Sequence, residues 1–196
     1  HRNAQCYLPD NSNPWSVLYP HYEENGKRRI YDIEQYPKAK SYLIQHFEQL
    51  DGRKYVKDAK RAWYEIWVPQ KPSLWNHRKI VFRDISEYPE FWFVTEDAVI
   101  NGDCYWIEFP EDTDDDIIYL MLAVANSRFI VDFYDKKFNT KLYSSKRRFM
   151  TQYVELFPIP DKSREECKEI IRLVKTLLDS HTLDLTIKEQ IDMLVE

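Results

Sequence analysis

Three runs of lysine and arginine carry the most legible chemistry in this chain of 196 residues. Lys54, Lys57, Lys60 and Arg61 fall at i, i+3, i+6 and i+7, the spacing of one helical side. Arg78, Lys79 and Arg83 follow, and then Lys136, Lys137, Lys141, Lys146, Arg147 and Arg148. Such groups hold phosphates, because each neutralised phosphate releases condensed counterions. Asn139, Tyr143, Ser144 and Ser145 are interleaved with the last run and offer hydrogen bonds suited to base edges or to backbone oxygens.

Any one cationic run is an ordinary solvated face. The distribution is less ordinary. The formal net charge is −5, yet residues 53–83 carry nine basic and two acidic groups, 84–127 none and twelve, and 128–148 seven and two. Two basic blocks therefore flank an acidic one, and this asymmetry is more informative than the net value. The acidic block either faces away from nucleic acid or docks on a basic partner.

Catalytic signatures are missing. Three glycines leave no phosphate-cradling loop, and neither G-x-S-x-G nor H-E-x-x-H occurs. His1, His21, His46, His77 and His181 are scattered and read as surface or core groups. Asp112, Asp114 and Asp116 lack the glycine and bidentate glutamate of a calcium loop, and read as the charged first turn of a helix. Cys6, Cys104 and Cys167 have neither zinc spacing nor a disulfide pattern. No catalytic or metal-binding residue is expected, and Trp63, Trp67, Trp92 and Trp106 read as core packing.

These groups need a scaffold. With 43% hydrophobic and 15% aromatic residues the chain has enough apolar material for one buried domain and a small appendage. No apolar run approaches the ~18 residues of a membrane span, so no membrane partner is expected and the expected compartment is the cytoplasm. The chain opens on His1 and its first methionine is Met121, the pattern of a piece of something longer.

Pro37 and the spacing of Tyr42, Leu43, Phe47 and Leu50 predict a helix over 36–50. Residues 55–67 fit a helix running into an extended segment. Lys79–Arg83, Phe91–Thr95, Ala98–Ile100 and Cys104–Phe109 read as strands, with Asn101-Gly102 as the hairpin turn between the last two. An apolar helix is expected from Ile117 to Phe133. Pro158 and Pro160 end the following segment. Ser163 with Glu166 then has the form of a capping box before an amphipathic helix through Cys167, Ile170, Ile171, Val174, Leu177 and Leu178. Thr186 and Glu189 repeat that form before a helix from Ile187 to Val195. The expected fold class is α/β of the α+β type, with a small, mostly antiparallel sheet, several packed helices and a C-terminal helical extension.

Five segments in order are Arg61-x-Trp-Tyr-Glu-Ile-Trp-x-Pro69, Lys79-Ile-Val-Phe-Arg-Asp-Ile-Ser86, Asn101-Gly-Asp-Cys-Tyr105, Tyr119-Leu-Met-Leu-Ala-Val-Ala-Asn-Ser-Arg128, and Arg148-Phe149 through Tyr153-x-x-Leu-Phe-Pro-Ile-Pro160. Together they resemble the C-terminal specificity domain of TaqI-like N6-adenine DNA methyltransferases, found in bifunctional restriction-modification enzymes and phage-defence methylases. Where that family has Leu-Leu-Asn-Ser this chain has Val124-Ala-Asn-Ser127, which keeps Asn126 and Ser127. The resemblance implies a target-recognition domain over 36–160, after a connecting segment 1–35 and before a helical extension 161–196. It implies double-stranded DNA and an N-terminal methyltransferase domain of the same chain as partners. S-adenosylmethionine is then expected in that other domain and no cofactor in this one. The Asn13-Pro14-Trp15 triplet lacks the second proline of the amine-holding Asn-Pro-Pro-aromatic motif and reads as a turn.

The residues expected at DNA are Lys79, Arg83, Lys141, Lys146, Arg147 and Arg148, with Tyr143 and Ser145 toward bases and Lys57 and Arg61 on the other basic block. The alternative is a scaffold that docks a partner subunit through the acidic block and the C-terminal helix.

Overall fold

The computed structural model describes residues 6–9, 16–100, 104–138 and 141–196. They form two compact units, one being Trp15–Asn76 and the other His77–Glu196 together with the N-terminal segment. Among the described residues no single helix is long and apolar enough to cross a membrane.

The smaller unit begins with an antiparallel hairpin, β1 (His21–Glu24) against β2 (Lys27–Ile30), in the register His21 to Ile30. Asn25 and Gly26 turn it at φ of 51° and 69°, the pair of positive values that a tight hairpin turn requires. The Asn-Gly signal therefore operates here, inside the expected connecting segment. The expected turn at Asn101-Gly102 lies outside the described residues, and Ala98–Ile100 is not a strand.

The helix expected over 36–50 is two pieces, α1 (Pro37–Ile44) and α2 (Phe47–Asp51). Neither buries a residue completely, so no packing holds the intervening turn in the α-helical pattern. The third piece, α3 (Lys54–Asp58), buries Val56 and stops before Lys60, whose φ is 53°. Lys54, Lys57, Lys60 and Arg61 consequently do not line one continuous helix.

In the larger unit β3 (Lys79–Arg83) is the centre of a three-stranded antiparallel sheet, flanked by β5 (Phe91–Val94) and β6 (Cys104–Glu108). Two residues of β4 (Ile85–Ser86) pair separately with β7 (Arg147–Arg148). The period-2 pattern of β3 and β5 divides two cores: Ile80, Phe82, Phe91 and Phe93 face the main one, and Val81, Trp92 and Val94 join Cys104 in the smaller. Tyr7, completely buried, extends the sheet beside β5: its N–H donates to Phe91 O at 2.7 Å and its carbonyl accepts from Phe93 N–H at 3.0 Å.

Asp114 caps α4 (Asp115–Ala125), accepting from Asp116 N–H at 2.9 Å, while Asp115 and Asp116 oppose the positive end of the helix dipole. The expected single helix breaks at Asn126-Ser127, and α5 (Arg128–Phe138) leaves at 70°. The buried Asn126 carboxamide donates to Phe91 O at 2.8 Å and to Leu122 O at 3.0 Å, and accepts from Phe91 N–H at 3.0 Å. Ser127 Oγ donates to Val124 O at 2.7 Å and accepts from Ile130 N–H at 3.2 Å, which caps α5. Polar bonding to a neighbouring strand has replaced helix continuation at this corner.

After α6 (Thr151–Val154) residues 157–161 are neither helix nor strand, and α7 (Glu165–Ser180) lays Cys167, Ile170, Leu173, Val174 and Leu177 against α4 in the core. The expected capping box does not form: Arg164 occupies the cap without a side-chain bond, and Ser163 N–H instead donates to Asp161 at 2.9 Å. The last helix, α8 (Leu185–Val195), is capped by Asp184, not by Thr186. It carries the buried Asp192, which accepts from Arg128 N–H at 3.2 Å and so helps to cap α5 from outside.

Replacing Asn126 by Leu strips buried Phe91 of a donor and an acceptor at once. Phe91 O keeps the Tyr7 N–H at 2.7 Å, so Phe91 N–H is the group left orphaned, and the expected loss is roughly 1–3 kcal/mol in urea unfolding. A loss below ~1 kcal/mol would mean that the elbow is not held this way.

Candidate nucleic-acid interface

Beyond α5 the chain makes a short hairpin. Lys141 and Arg147 form an antiparallel bridge, Leu142 N–H donates to Lys146 O at 2.7 Å, and Tyr143, Ser144 and Ser145 turn the chain. Both serines sit at φ 59°, left-handed backbone that a non-glycine residue occupies at a cost of ~1–3 kcal/mol. The product is a projecting tip whose Tyr143 is 96% exposed.

A buried guanidinium offsets that strain. Arg147, whose side chain is 9% exposed, donates from Nε and Nη2 to the two Asp135 oxygens, each at 2.7 Å. Its Nη1 donates to Ser145 O at 3.3 Å and to Glu87 O. Lys141 Nζ adds a bond to Asp135 at 2.8 Å. Hydrogen bonding from Arg147, then from Lys141, holds the Asp135 carboxyl below the usual carboxylate range, and Asp135 in turn raises the guanidinium.

The same contacts staple the hairpin to the loop between β3 and β5. Ile85 pairs with Arg148 and Ser86 with Arg147, and Phe149 N–H donates to Asp84 O at 2.7 Å. Arg148 makes bonds of 3.0 and 3.3 Å to the Asp84 carboxylate. Tyr134 Oη donates to Arg148 O at 2.7 Å and accepts from Met150 N–H at 3.2 Å. Arg83 and Glu90 close the neck of the loop at 2.7 Å. Inside it Ser86 Oγ donates to Tyr88 O at 2.5 Å, and Cys6 Sγ donates to Pro89 O at 3.3 Å. Two loops thus form one platform, from which Tyr143 and Tyr88 both project; the latter is 65% exposed.

The structure gathers Lys141, Tyr143, Ser145, Lys146, Arg147 and Arg148 on that platform and sets Arg83 at its neck. Lys79, at the opposite end of β3, is 2% exposed, and burial pushes its ammonium below the ordinary lysine range. Lys57 and Arg61 belong to the smaller unit. There Lys57 pairs with Asp51 at 2.7 Å, and Arg61 donates to Trp67 O at 2.6 Å with its guanidinium 5.0 Å from the Trp67 ring centroid. Among the described residues Lys136, Lys137 and Lys146 have no carboxylate within ion-pairing distance. Five of the expected contacts, Lys57, Arg83, Lys141, Arg147 and Arg148, do.

Tyr88 and Ile85 are not singled out by the sequence because they lie in the acidic block, which holds no lysine or arginine. Their position depends on β4 meeting β7, a pairing across about 60 residues that no local pattern announces.

Because the Asp135 pKa is lowered on folding, its contribution to stability is complete above the ordinary carboxylate value near 4 and is lost as pH falls through the lower folded value. Asp135→Asn should therefore lose less stability than the wild type between about pH 5 and pH 3, read from urea midpoints. Parallel curves would contradict the assignment. Arg147→Ala, which leaves Asp135 half-satisfied, should cost roughly 3 kcal/mol at neutral pH.

Comparison with known proteins places this geometry. The Type II methyltransferase M.BanIII of Aneurinibacillus aneurinilyticus is 41% identical over 181 residues, which cover 91% of this chain and 31% of that protein. The Type II methyltransferase M.PaeR7I of Pseudomonas aeruginosa is 26% identical over 144 residues, 74% of this chain and 24% of that protein. The chain therefore spans about a third or less of the length of these relatives. The sequence profile of the TaqI-like C-terminal specificity domain matches residues 25–159, from the turn of the first hairpin to the proline-bounded segment before α7. On that match and the 41% identity, this chain belongs to the TaqI-like C-terminal specificity domain family.

Proposed function

We propose that the chain is the DNA-recognition part of a longer, site-specific N6-adenine DNA methyltransferase of a restriction-modification or phage-defence system in the cytoplasm. A separate domain of the same polypeptide binds S-adenosylmethionine and transfers the methyl group. An enzyme that modifies adenine must extrude the base and hold the duplex in register meanwhile. The grip needs phosphate and base-edge contacts and no nucleophile or acid of its own. Membership of a specificity-domain family and two relatives named Type II methyltransferases support this reading.

The observation that carries it is the hairpin tip. A fully presented tyrosine stands on a strained turn that a buried ion pair and a second loop immobilise, next to Lys146, which no carboxylate of the described residues neutralises. A rigid aromatic beside an uncompensated cation suits stacking on a base and contact with a phosphate. Ser145 offers a hydroxyl at the same tip. In this reading Arg147 and Arg148 act by shaping the platform, while Lys146, Tyr143 and Ser145 touch DNA. The scaffold alternative loses support because Asp84, Glu90, Asp114 and Asp115 of the acidic block are each paired with a cation of this same chain.

In the full-length enzyme Lys146→Ala should weaken binding to all duplexes alike and reduce the slope of log K against log salt by about 0.9. Tyr143→Ala should lower affinity for the methylated sequence by about 10–100-fold with little change on unrelated DNA. If both variants bind and methylate as the wild type does at every salt concentration, the hairpin is not the reading element.

A further inference from the structure

We propose that the groove along the outer side of α5 is a second DNA contact, one that takes the sugar-phosphate backbone outside the recognised sequence. This rests on the DNA-recognition reading above. The groove encloses about 930 Å³ and is lined by Tyr88, Arg128, Phe129, Phe133, Lys136 and Lys137. Asp132 and Glu196 also border it, and with Arg128 set beside Asp192 the lining has no net charge; neither carboxylate is within ion-pairing distance of Lys136 or Lys137.

Charge availability decides the ligand class. Most cations of the 128–148 block are spent inside the fold: Arg147 and Lys141 on Asp135, Arg148 on Asp84, and Arg128 beside the buried Asp192 at 3.7 Å. Lys136 and Lys137 are exposed, and no carboxylate of the described residues lies within ion-pairing distance of either. The Lys137 ammonium rests 5.0 Å from the Phe133 ring centroid and 5.7 Å from that of Phe138, which orients it without neutralising it. Phe129 and Phe133 stack at 6.1 Å and floor the groove. An apolar floor under two uncompensated ammonium groups fits a deoxyribose-phosphate strand, with the sugar on the rings and the phosphates at the lysines.

Continuity with the hairpin decides which phosphates. Tyr88 is a wall of the groove and follows Glu87, whose carbonyl accepts from Arg147. Lys136 follows Asp135, which anchors the hairpin. Tip and groove thus share Asp135 and the β3–β5 loop as common supports, and a duplex long enough to pass the tip reaches the groove. The ligands offered to phosphate are the ammonium groups of Lys136 and Lys137, and a lysine–phosphate contact carries no sequence information.

The test compares the full-length wild type with Lys136→Gln/Lys137→Gln on two duplexes, one ending at the recognised sequence and one extended by about a helical turn on each side. The expected result is an unchanged thermal midpoint and unchanged affinity for the short duplex. On the long one the variant should bind about tenfold or more weakly, with a salt slope smaller by about 1.8, two contacts at ~0.9 each. Lys136→Arg/Lys137→Arg should retain wild-type behaviour. Equal affinity and slope on the long duplex overturn the proposal, and so does a loss of the same size on both duplexes, which would place these lysines within the recognised sequence. If the wild type binds neither duplex, the DNA-recognition reading fails first and the groove proposal with it.

Discussion

The carboxamide of Asn126 donates to Phe91 O and accepts from Phe91 N–H, so one side chain does for β5 what a neighbouring strand would do. A carboxamide is the smallest side-chain group that presents a donor and an acceptor at that spacing; Phe91 O also takes Tyr7 N–H, but the buried Phe91 N–H has no water to fall back on. The bond fixes the corner at which α4 stops and α5 departs. That corner sets where Asp135 lies, Asp135 sets Arg147, and Arg147 sets both the hairpin and the adjoining loop. Ser127 and the buried Asp192 reinforce the corner by capping α5 from two sides. A tip on a loop is only as exact as its supports, and here they run back through hydrogen-bonded polar groups to the sheet.

Charge in this chain is segregated along the sequence, and part of it is paired in space across the segments. Asp84 meets Arg148, Glu90 meets Arg83, Asp115 meets Arg78 and Asp114 meets Lys162. Four of the twelve carboxylates of the acidic block are thus held by cations of the same chain, Asp84 and Glu90 at the platform and Asp114 and Asp115 at the start of α4. This changes the meaning of the cation count: what matters for phosphate is the small remainder, Lys136, Lys137 and Lys146 on the α5 side of the larger unit. It also separates two roles for arginine and lysine. The bidentate fork of Arg147 suits a buried, shape-determining pair, whereas the flexible ammonium of Lys146 suits a mobile phosphate.

Elements with a strong local pattern were legible in the sequence. The alternation in β3 and β5, the acidic opening of α4 and the apolar stripe of α7 all appear where residue types placed them. Breaks were harder. Nothing local distinguishes Asn126-Ser127 inside an apolar run from a polar pair tolerated in a helix, because the bond that decides it goes to Phe91, 35 residues earlier. At α8 the cap is Asp184 in place of Thr186, and before α7 Asp161 takes the Ser163 N–H, leaving the Arg164 cap without a side-chain bond. The β1–β2 hairpin is legible in the sequence, since Asn25-Gly26 carries the same turn signal as Asn101-Gly102. For the candidate interface the basic run around Tyr143 was visible, but which cations are neutralised was not. Pairing is a property of the fold, not of the run.

The central claim is that the Tyr143 tip meets DNA. It is tested most directly by placing a photoreactive p-benzoylphenylalanine at position 143 of the full-length enzyme and, as a control, at the exposed Met193 on α8. Irradiation would be done with a duplex carrying the methylated sequence. The account predicts a crosslink from position 143 that maps to nucleotides within the recognised sequence, and none from position 193. A methylating enzyme that gives no crosslink from 143, or gives it equally from 193, contradicts it.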